Sequence, residues 1–182
     1  MKILIASDIH GCADSARKLI GHFQDEKCDY ILLLGDILYH GPRNALPGEY
    51  DTMEVAKLLN QYKNKIWCVK GNCDSEVDQM VLEFPITADY MQIPVGDKVI
   101  FATHGHHFNM DYLPPKGSCD ILACGHFHFP EHRQIEDLLY INPGSTSIPK
   151  GGSKKSFMTF DGKLLCWKEI DTGKTYDSLE CD

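Results

Sequence analysis

Apolar runs in this chain are followed five times by a glycine-containing turn that carries side chains able to bind metal ions. The first block, Ser7-Asp8-Ile9-His10-Gly11, places a carboxylate and an imidazole two residues apart. The other blocks are Gly35-Asp36, Lys70-Gly71-Asn72-Cys73-Asp74, Thr103-His104-Gly105-His106 and Cys124-Gly125-His126-Phe127-His128. Carboxylate, amide and imidazole ligands, with no required thiolate, suit two divalent ions such as Mn²⁺, Fe²⁺ or Zn²⁺.

Each of these blocks follows an apolar run of strand length. The runs are Ile3–Ala6, Tyr30–Leu34, Ile66–Val69, Val99–Ala102 and Ile121–Ala123. Because an α/β protein builds its site where strands end, we expect the blocks to converge at one edge of one sheet. Asp8 with His10, and His126 with His128, are spaced two apart, so in extended geometry both side chains of each pair point the same way. The two oxygens of a carboxylate can bridge two ions, and we assign that role to Asp36.

Two amphipathic helices are predicted between the first three strands. Residues Asp14–Lys27 carry apolar side chains at i, i+3, i+4 and i+7, and Asp14 is the predicted N-cap. A second helix is predicted at Asp51–Tyr62, where Asp51 and Glu54 have the spacing of a capping box. The first half of the chain is therefore predicted to be βαβαβ.

The second half of the chain is predicted to be mostly strands and turns. A long Gly- and Pro-rich loop is expected at 38–50 and a short helix at 74–80. Later strands are predicted at 91–94, 98–102, 120–124, 138–142, 156–160 and 163–169. Asp161-Gly162 between two apolar runs is a hairpin signal. We expect one α/β domain over residues 1–182, with a mixed sheet in a two-layered or sandwiched arrangement.

The charge of the chain limits its partners. Its formal net charge is −8 and its pI is near 5.5, which argues against a basic surface for long nucleic acid. A small phosphorylated substrate remains compatible, because bound metal ions would supply local positive charge. The acidic residues Asp177, Glu180 and Asp182 are predicted to belong to a frayed terminus.

The cysteines and the apolar runs predict a cytoplasmic protein without a membrane partner. Eight cysteines are present without a CxxC pair, so we expect reduced thiols rather than disulfides or a zinc ribbon. The first residues, 1–5, have the pattern of a strand rather than of a signal peptide. No apolar run approaches the roughly 20 residues that cross a bilayer.

The order of the five blocks resembles a known superfamily. D-x-H, G-D, G-N-C-D, H-G-H and G-H-x-H follow one another between residues 8 and 128, as in the calcineurin-like metallophosphoesterases. The stretches 40–47, 71–80 and 142–152 resemble more narrowly the small YfcE-type phosphodiesterases. The resemblance implies the calcineurin-like fold, a two-layered mixed β-sheet sandwich flanked by helices. It also implies hydrolysis of small phosphodiesters by a hydroxide that bridges two metals.

The resemblance further implies a division of the metal ligands. The first ion would be held by Asp8, His10 and His128, the second by Asn72, His104 and His126, and both by Asp36. Manganese is the expected ion, with iron, zinc, nickel or cobalt as alternatives. Two such ions lower the pKa of a bound water and neutralise charge on the transferring phosphoryl group.

The third block departs from the commonest superfamily pattern, G-N-H-[DE], because Cys73 replaces the histidine that lies near the leaving group. A thiol with a pKa of about 8.5 is a poor proton donor, so we expect a preference for phosphodiesters or for esters with good leaving groups. Asn72, Cys73 and Asp74 are candidate catalytic residues, with Asp74 orienting a neighbouring group. His106 is a second candidate donor, and Arg43 could contact a substrate phosphate or lie free on the loop surface.

Other functions on the same fold remain open from the sequence. One is a non-catalytic scaffold like the retromer subunit Vps29, and others are a phosphomonoesterase or a nuclease of the superfamily. A scaffold is free to lose ligands, whereas all seven expected positions here carry competent side chains, which favours an enzyme. A homo-oligomer, either dimer or tetramer, is expected by fold analogy, and Trp67 and Trp167 could face a partner or the core.

Overall fold

Two mixed β-sheets packed face to face form the centre of the protein, whose computed structural model describes residues 1–181. In chain order the strands and helices are β1 (Ile3–Ala6), α1 (Ala13–Asp25), β2 (Tyr30–Leu33), α2 (Thr52–Asn60), β3 (Ile66–Cys68), α3 (Glu76–Gln79), β4 (Tyr90–Val95), β5 (Lys98–Thr103), β6 (Ile121–Ala123), β7 (Pro130–Ile135), β8 (Leu138–Pro143), β9 (Ser156–Phe160), β10 (Leu164–Glu169) and β11 (Thr175–Glu180). The first sheet has the order β11-β10-β9-β1-β2-β3, and the second has the order β4-β5-β6-β8-β7. Strands β1, β2 and β3 are parallel, as are β5, β6 and β8.

The apolar runs are continuous because the central strands are covered on both faces. Side chains alternate along β1, so Ile3 and Ile5 pack between the sheets while Leu4 and Ala6 pack under the helices. All four are fully buried. The outer face of the second sheet is covered instead by the segment 108–119, which packs on Phe101 and Tyr140 among other residues. The predicted α/β class and the predicted sandwich of mixed sheets are both confirmed.

The helices lie near their predicted positions, but their first residues differ. Asp14 is inside the first turn of α1 rather than at its N-cap, and it pairs with Lys18 at 2.7 Å. Cys12 holds the N-cap position because a β-bridge to Tyr50 fixes the chain there. Asp51 does cap α2, since its carboxylate accepts from the backbone N–H of Glu54 at 2.9 Å.

Two edge strands were not predicted as strands. The segment β7 is mostly polar and begins with Pro130, and it pairs with β8. The segment β11 contains Asp177 and Glu180 and pairs with β10, so the prediction of a frayed terminus was wrong for these two residues. Asp182 lies outside the described residues. Exposed edge strands carry polar side chains on most positions, which removes the alternation that identifies a strand.

Further expectations concern thiols and membranes. Among the described residues no two cysteines are joined in a disulfide. Within residues 1–181, none of the helices has the length and apolar character needed to span a bilayer.

Trp167 is buried in the core, where its indole N–H donates to the carbonyl of Asn142 at 2.9 Å, so this side chain offers no surface to a partner.

Candidate metal centre

The five metal-binding blocks meet at one end of the sandwich, but they come from two sheets rather than from one. Strands β1, β2 and β3 of the first sheet precede three of the blocks, and β5 and β6 of the second sheet precede the other two. A hydrogen bond joins the two groups, from the backbone N–H of His126 to Oδ2 of Asp8 at 3.0 Å. The expectation of a single sheet was wrong because the similar strand pattern of each block does not reveal which strands pair. Face-to-face packing of the sheets brings the strand ends together.

Most of the predicted ligands have left-handed backbone conformations. The φ angles are 55° at Asp8, 48° at His10, 55° at Asp36, 66° at His126 and 58° at His128. The extended geometry expected for residues two apart is therefore wrong for both pairs, and these turns, not strands, aim the side chains. Left-handed non-glycine residues cost of order 1 kcal/mol or more each and concentrate at functional sites, where surrounding contacts enforce them.

The first cluster consists of Asp8, His10 and His128, and the three side chains are almost completely buried. Nε2 of His10 and Nε2 of His128 lie 3.2 Å apart. Oδ1 of Asp8 lies 3.6 Å from the former and 3.2 Å from the latter. Ligand atoms of these three residues are thus close enough to bind one ion.

The second cluster consists of Asn72, His104 and His126. Nε2 of His104 lies 3.0 Å from Oδ1 of Asn72 and 3.3 Å from Nδ1 of His126. Asp36 lies between the clusters, with Oδ2 at 3.7 Å from Nε2 of His10 and 3.4 Å from Nε2 of His104. The structure therefore brings all seven predicted ligands together, with Asp36 facing both groups.

Backbone carbonyls orient three of the four imidazoles. Nδ1 of His10 donates to the carbonyl of Tyr39 at 2.7 Å, Nδ1 of His104 to that of Leu34 at 2.6 Å, and Nδ1 of His128 to that of Ile148 at 2.8 Å. A carbonyl only accepts, so each Nδ1 carries a proton, and in the neutral imidazole Nε2 is then the atom that presents a lone pair to the site. Such outer hydrogen bonds are the usual way in which proteins orient metal-binding histidines.

The carboxylate oxygens and the imidazole Nε2 atoms of the clusters face one another. A cation requires such an arrangement of acceptor atoms. The Nε2 atoms of His10 and His128 converge on Oδ1 of Asp8, a buried oxygen that makes no hydrogen bond within the described residues. At His104, burial opposes the charged form, but Asp36 and Asp8 outweigh burial and raise the pKa to about 9. The site therefore favours positive charge, and the hard carboxylate and imidazole donors fit divalent metal ions.

Asp74 positions the turns that carry Asp36 and Asn72. Its buried carboxylate accepts three backbone N–H groups, from Asp36 and Ile37 at 2.8 Å and from Gly71 at 2.7 Å. The short helix predicted from residue 74 therefore begins later, at Glu76. Asp74 touches none of the seven ligand side chains in these contacts, so its role is to hold the main chain of two turns.

Ser145 and Ser147 support the first turn and were not predicted as site residues. Both hydroxyls donate to the carbonyl of Asp8, at 2.8 Å and 2.9 Å, and both side chains are buried. Small hydroxyl residues in a Gly-containing turn carry no recognisable metal chemistry. The sequence signal that includes both serines is the stretch 142–152, whose resemblance to the small phosphodiesterases gives no role to a particular residue.

Gly71 must lack a side chain for Asp36 to reach the centre. A Cβ at Gly71 would lie 2.1 Å from Oδ1 of Asp36 and 2.3 Å from its backbone nitrogen. Both distances are far below van der Waals contact, so the close approach of these two turns requires glycine.

A solvent-accessible cavity of about 310 Å³ opens over the clusters, and we call it the phosphate cavity. Asp36, Asn72, Cys73, His126 and His128 contribute to its walls, and Arg43 and Lys150 also line it. Arg43 belongs to the predicted loop 38–50, where Asn44 fixes the turn by donating to the carbonyl of His40 at 2.8 Å. Lys150 was not predicted; its backbone N–H donates to the carbonyl of His128 at 3.0 Å. Two cationic side chains at this cavity suit an anionic ligand.

The two candidate proton donors differ in their surroundings. Burial, together with the carboxylates of Asp36 and Asp74, raises the pKa of the Cys73 thiol to about 12, so the thiol stays protonated and is a very weak acid. His106 is not among the described residues that line the phosphate cavity. Its ring packs against the rings of His104 and His107. Burial and these neighbouring imidazoles lower its pKa to about 4, so it is neutral at pH 7.

Comparison with known proteins assigns the family. Residues 1–163 match the family model of the calcineurin-like phosphoesterase superfamily domain. The chain belongs to the calcineurin-like phosphoesterase superfamily. Its superfamily relatives include phosphodiesterase YfcE of Escherichia coli strain K12, which is 44% identical over 165 residues, covering 91% of this chain and 90% of the relative. The predicted family, fold and phosphoesterase enzyme class are thereby confirmed, and the family implies divalent metal ions.

Two solved structures share the fold of this chain. The structure of YfcE, a phosphoesterase from E. coli, superposes with a TM-score of 0.96 at 40% identity and covers both chains completely. Vacuolar protein sorting 29 from Cryptosporidium parvum superposes with a TM-score of 0.64 at 20% identity, covering 99% of this chain and 98% of the other. The second likeness concerns the fold alone.

Proposed function

We propose that this protein is a metal-dependent phosphodiesterase that hydrolyses small phosphodiesters at a binuclear centre. The observation that carries the proposal is the pair of ligand clusters that share Asp36 beneath a cavity lined by Arg43 and Lys150. Identity of 44% to a protein named phosphodiesterase supports the diester class. Hydrolysis adds water, breaks one phosphorus–oxygen ester bond, and releases a phosphomonoester and an alcohol.

The seven clustered side chains are the proposed ligands. Asp8, His10 and His128 would hold one ion, Asn72, His104 and His126 would hold the other, and Asp36 would bind both. The donor set of oxygen and imidazole nitrogen without a thiolate suits Mn²⁺, Fe²⁺ or Zn²⁺, and manganese is our first choice among them. When bound, two such ions activate a water nucleophile and neutralise charge on the phosphoryl group.

The protein's own side chains position the substrate. Arg43 and Lys150 attract the phosphate anion, and the neutral amide of Asn72 adds a ligand atom without adding negative charge. Since Cys73 is a very weak acid and His106 is neutral, strong protonation of a poor leaving group is not available here. Diesters with good leaving groups are therefore the proposed preference.

Turnover of bis(4-nitrophenyl) phosphate by the Mn²⁺-loaded protein tests the proposal. We expect metal-dependent release of 4-nitrophenolate, lost on chelation and restored by Mn²⁺. A panel of small diesters, monoesters and DNA, assayed in parallel with Asp36→Ala as the blank, separates the reaction classes. Metal-loaded protein that turns over none of these compounds would instead support the hypothesis of a non-catalytic scaffold. Turnover of DNA alone would support the hypothesis of a nuclease.

Replacing Arg43 with alanine is expected to raise KM for the diester about three- to tenfold with little change in kcat. Arg43 lines the phosphate cavity and is exposed. A hydrogen bond to a charged group contributes about 1.5–3 kcal/mol, and it contributes less at an exposed position, where water competes for the bond. Arg17→Ala is the matched control, because Arg17 is exposed and its long 3.5 Å contact with Glu49 lies outside the cavity. Steady-state kinetics measure the effect, and unchanged KM in Arg43→Ala would remove Arg43 from substrate binding.

Replacing Cys73 with histidine is expected to increase activity on esters with poor leaving groups relative to nitrophenyl esters, by about tenfold or more. An imidazole titrates near neutral pH and donates protons far better than a thiol whose pKa is about 12. The ratio of kcat/KM for alkyl and 4-nitrophenyl diesters reports the change. Cys119→His, at another half-buried thiol, is the control. An unchanged ratio would show that Cys73 does not face the leaving group.

We also propose one catalytic domain in a cytoplasmic protein that self-associates. Eight cysteines without a disulfide among the described residues support a reducing compartment. Homo-oligomer formation rests on fold analogy, and a dimer or tetramer would be distinguished by light scattering.

A further inference from the structure

A second cavity lies beside the phosphate cavity, and the two share Cys73 as a wall. We call it the side cavity, and its volume is about 400 Å³. Unlike the phosphate cavity, it is lined mainly by apolar and aromatic side chains, including Leu38, Tyr39, Tyr50, Met53, Val77 and Val81. No role in the metal centre accounts for this surface.

The aromatic wall of the side cavity is held by the same turn that carries His10. The carbonyl of Tyr39 accepts from Nδ1 of His10 at 2.7 Å. The ring of Tyr50 lies directly on Gly11, where a Cβ would approach it to 2.5 Å. The ring of His40 packs edge-on against both tyrosines, with centroid distances of 4.9 Å to Tyr39 and 5.4 Å to Tyr50. The side cavity is therefore fixed in position relative to the metal centre.

The rim of the side cavity exposes apolar side chains to an unusual extent. Met53 is 61% exposed, Val77 70% and Tyr39 41%. The described lining contains no lysine or arginine, and its carboxylate, on Asp78, accepts hydrogen bonds from the backbone and hydroxyl of Ser75. Apolar surface concentrated at a concave site typically marks a place for an apolar ligand group.

We propose that the side cavity binds an apolar or aromatic ester group of the phosphodiester substrate. This inference rests on the proposed phosphodiesterase function. A diester is anionic at phosphorus and carries two organic groups, so a substrate whose phosphate lies near Asn72 and Arg43 can direct one organic group past Cys73. The adjacent charged and apolar cavities match the two parts of such a molecule.

Calorimetric titration of the Mn²⁺-loaded protein with phenylphosphonate and with methylphosphonate tests the assignment. Both ligands carry the same charged group, and they differ only in the organic group. We expect phenylphosphonate to bind about tenfold more tightly, because burial of a ring removes apolar surface from water. The double variant Met53→Ser/Val77→Ser should reduce this preference to below about twofold. Leu113→Ser, at an exposed apolar residue of a different cavity, should retain it.

The outcomes separate the side cavity from the proposed function. Equal affinities for the two phosphonates in the unaltered protein would overturn the assignment even where diester turnover is normal, and this comparison needs no variant to fold. A retained preference in the double variant, with a changed molecular mass by light scattering, would also overturn it and identify the rim as an interface between copies. A tenfold preference for phenylphosphonate that the double variant abolishes supports the proposed binding role of the side cavity. If the protein then failed to turn over diesters, that failure would contradict only the proposed reaction.

Discussion

Asp36→Asn is expected to lower kcat/KM on small phosphodiesters by at least about 10³-fold and to reduce the bound metal below two ions per chain. The carboxylate of Asp36 faces both clusters, at 3.7 Å from Nε2 of His10 and 3.4 Å from Nε2 of His104. Asparagine keeps the shape but removes the charge and one ligand oxygen. Metal-derived stabilisation of transition-state charge amounts to several kcal/mol, and about 4 kcal/mol corresponds to 10³ in rate.

Steady-state kinetics and elemental analysis of the purified variant measure both effects of Asp36→Asn. Asp97→Asn is the matched control, because Asp97 is an exposed residue in the turn between β4 and β5. This control should keep full activity and full metal content. Retention of more than a tenth of the activity together with two ions by Asp36→Asn would show that Asp36 does not bridge the centre.

Asp74→Asn is expected to lower the free energy of unfolding by about 2–4 kcal/mol. The carboxylate of Asp74 accepts three backbone N–H groups in a buried position, and an amide presents only one acceptor oxygen. At least one N–H would lose its partner and would face an amide donor, and each unsatisfied buried group costs about 1–3 kcal/mol. Activity should fall as well, because the same turns place Asp36 and Asn72.

Urea denaturation followed by circular dichroism measures the destabilisation of Asp74→Asn. Asp161→Asn is the control, since the carboxylate of Asp161 also accepts backbone N–H groups, from Lys163 and Leu164, but in an exposed hairpin turn. Water can replace those bonds, so the control should cost less than about 1 kcal/mol. Equal losses in the two variants would contradict the positioning role of Asp74.

The sequence was most informative about which residues meet, and less informative about how they are brought together. Asp8, His10 and the other proposed ligands follow apolar strands, and strand ends are where such sites form, so their convergence could be predicted. Their division between two sheets could not, because an apolar run such as Ile121–Ala123 does not encode its pairing partner. The left-handed conformations at Asp8 and His10 were also missed, since aspartate and histidine rarely adopt φ near 50° without tertiary support.

Groups that act through the backbone were the hardest to predict. The Tyr39 carbonyl orients His10, and Ser145 and Ser147 hold the carbonyl of Asp8, but no residue type is diagnostic of such contacts. Asp14 was mistaken for an N-cap because a tertiary bridge, rather than local preference, sets the first residue of α1. Side-chain chemistry is readable from the printed sequence, whereas the contacts that aim it depend on long-range packing.

Anomalous diffraction from crystals of the Mn²⁺-loaded protein tests the binuclear centre most directly. We predict two peaks per chain, one beside Asp8, His10 and His128 and one beside Asn72, His104 and His126, with the Asp36 carboxylate between them. A single peak, or peaks ligated by other side chains, would contradict the account.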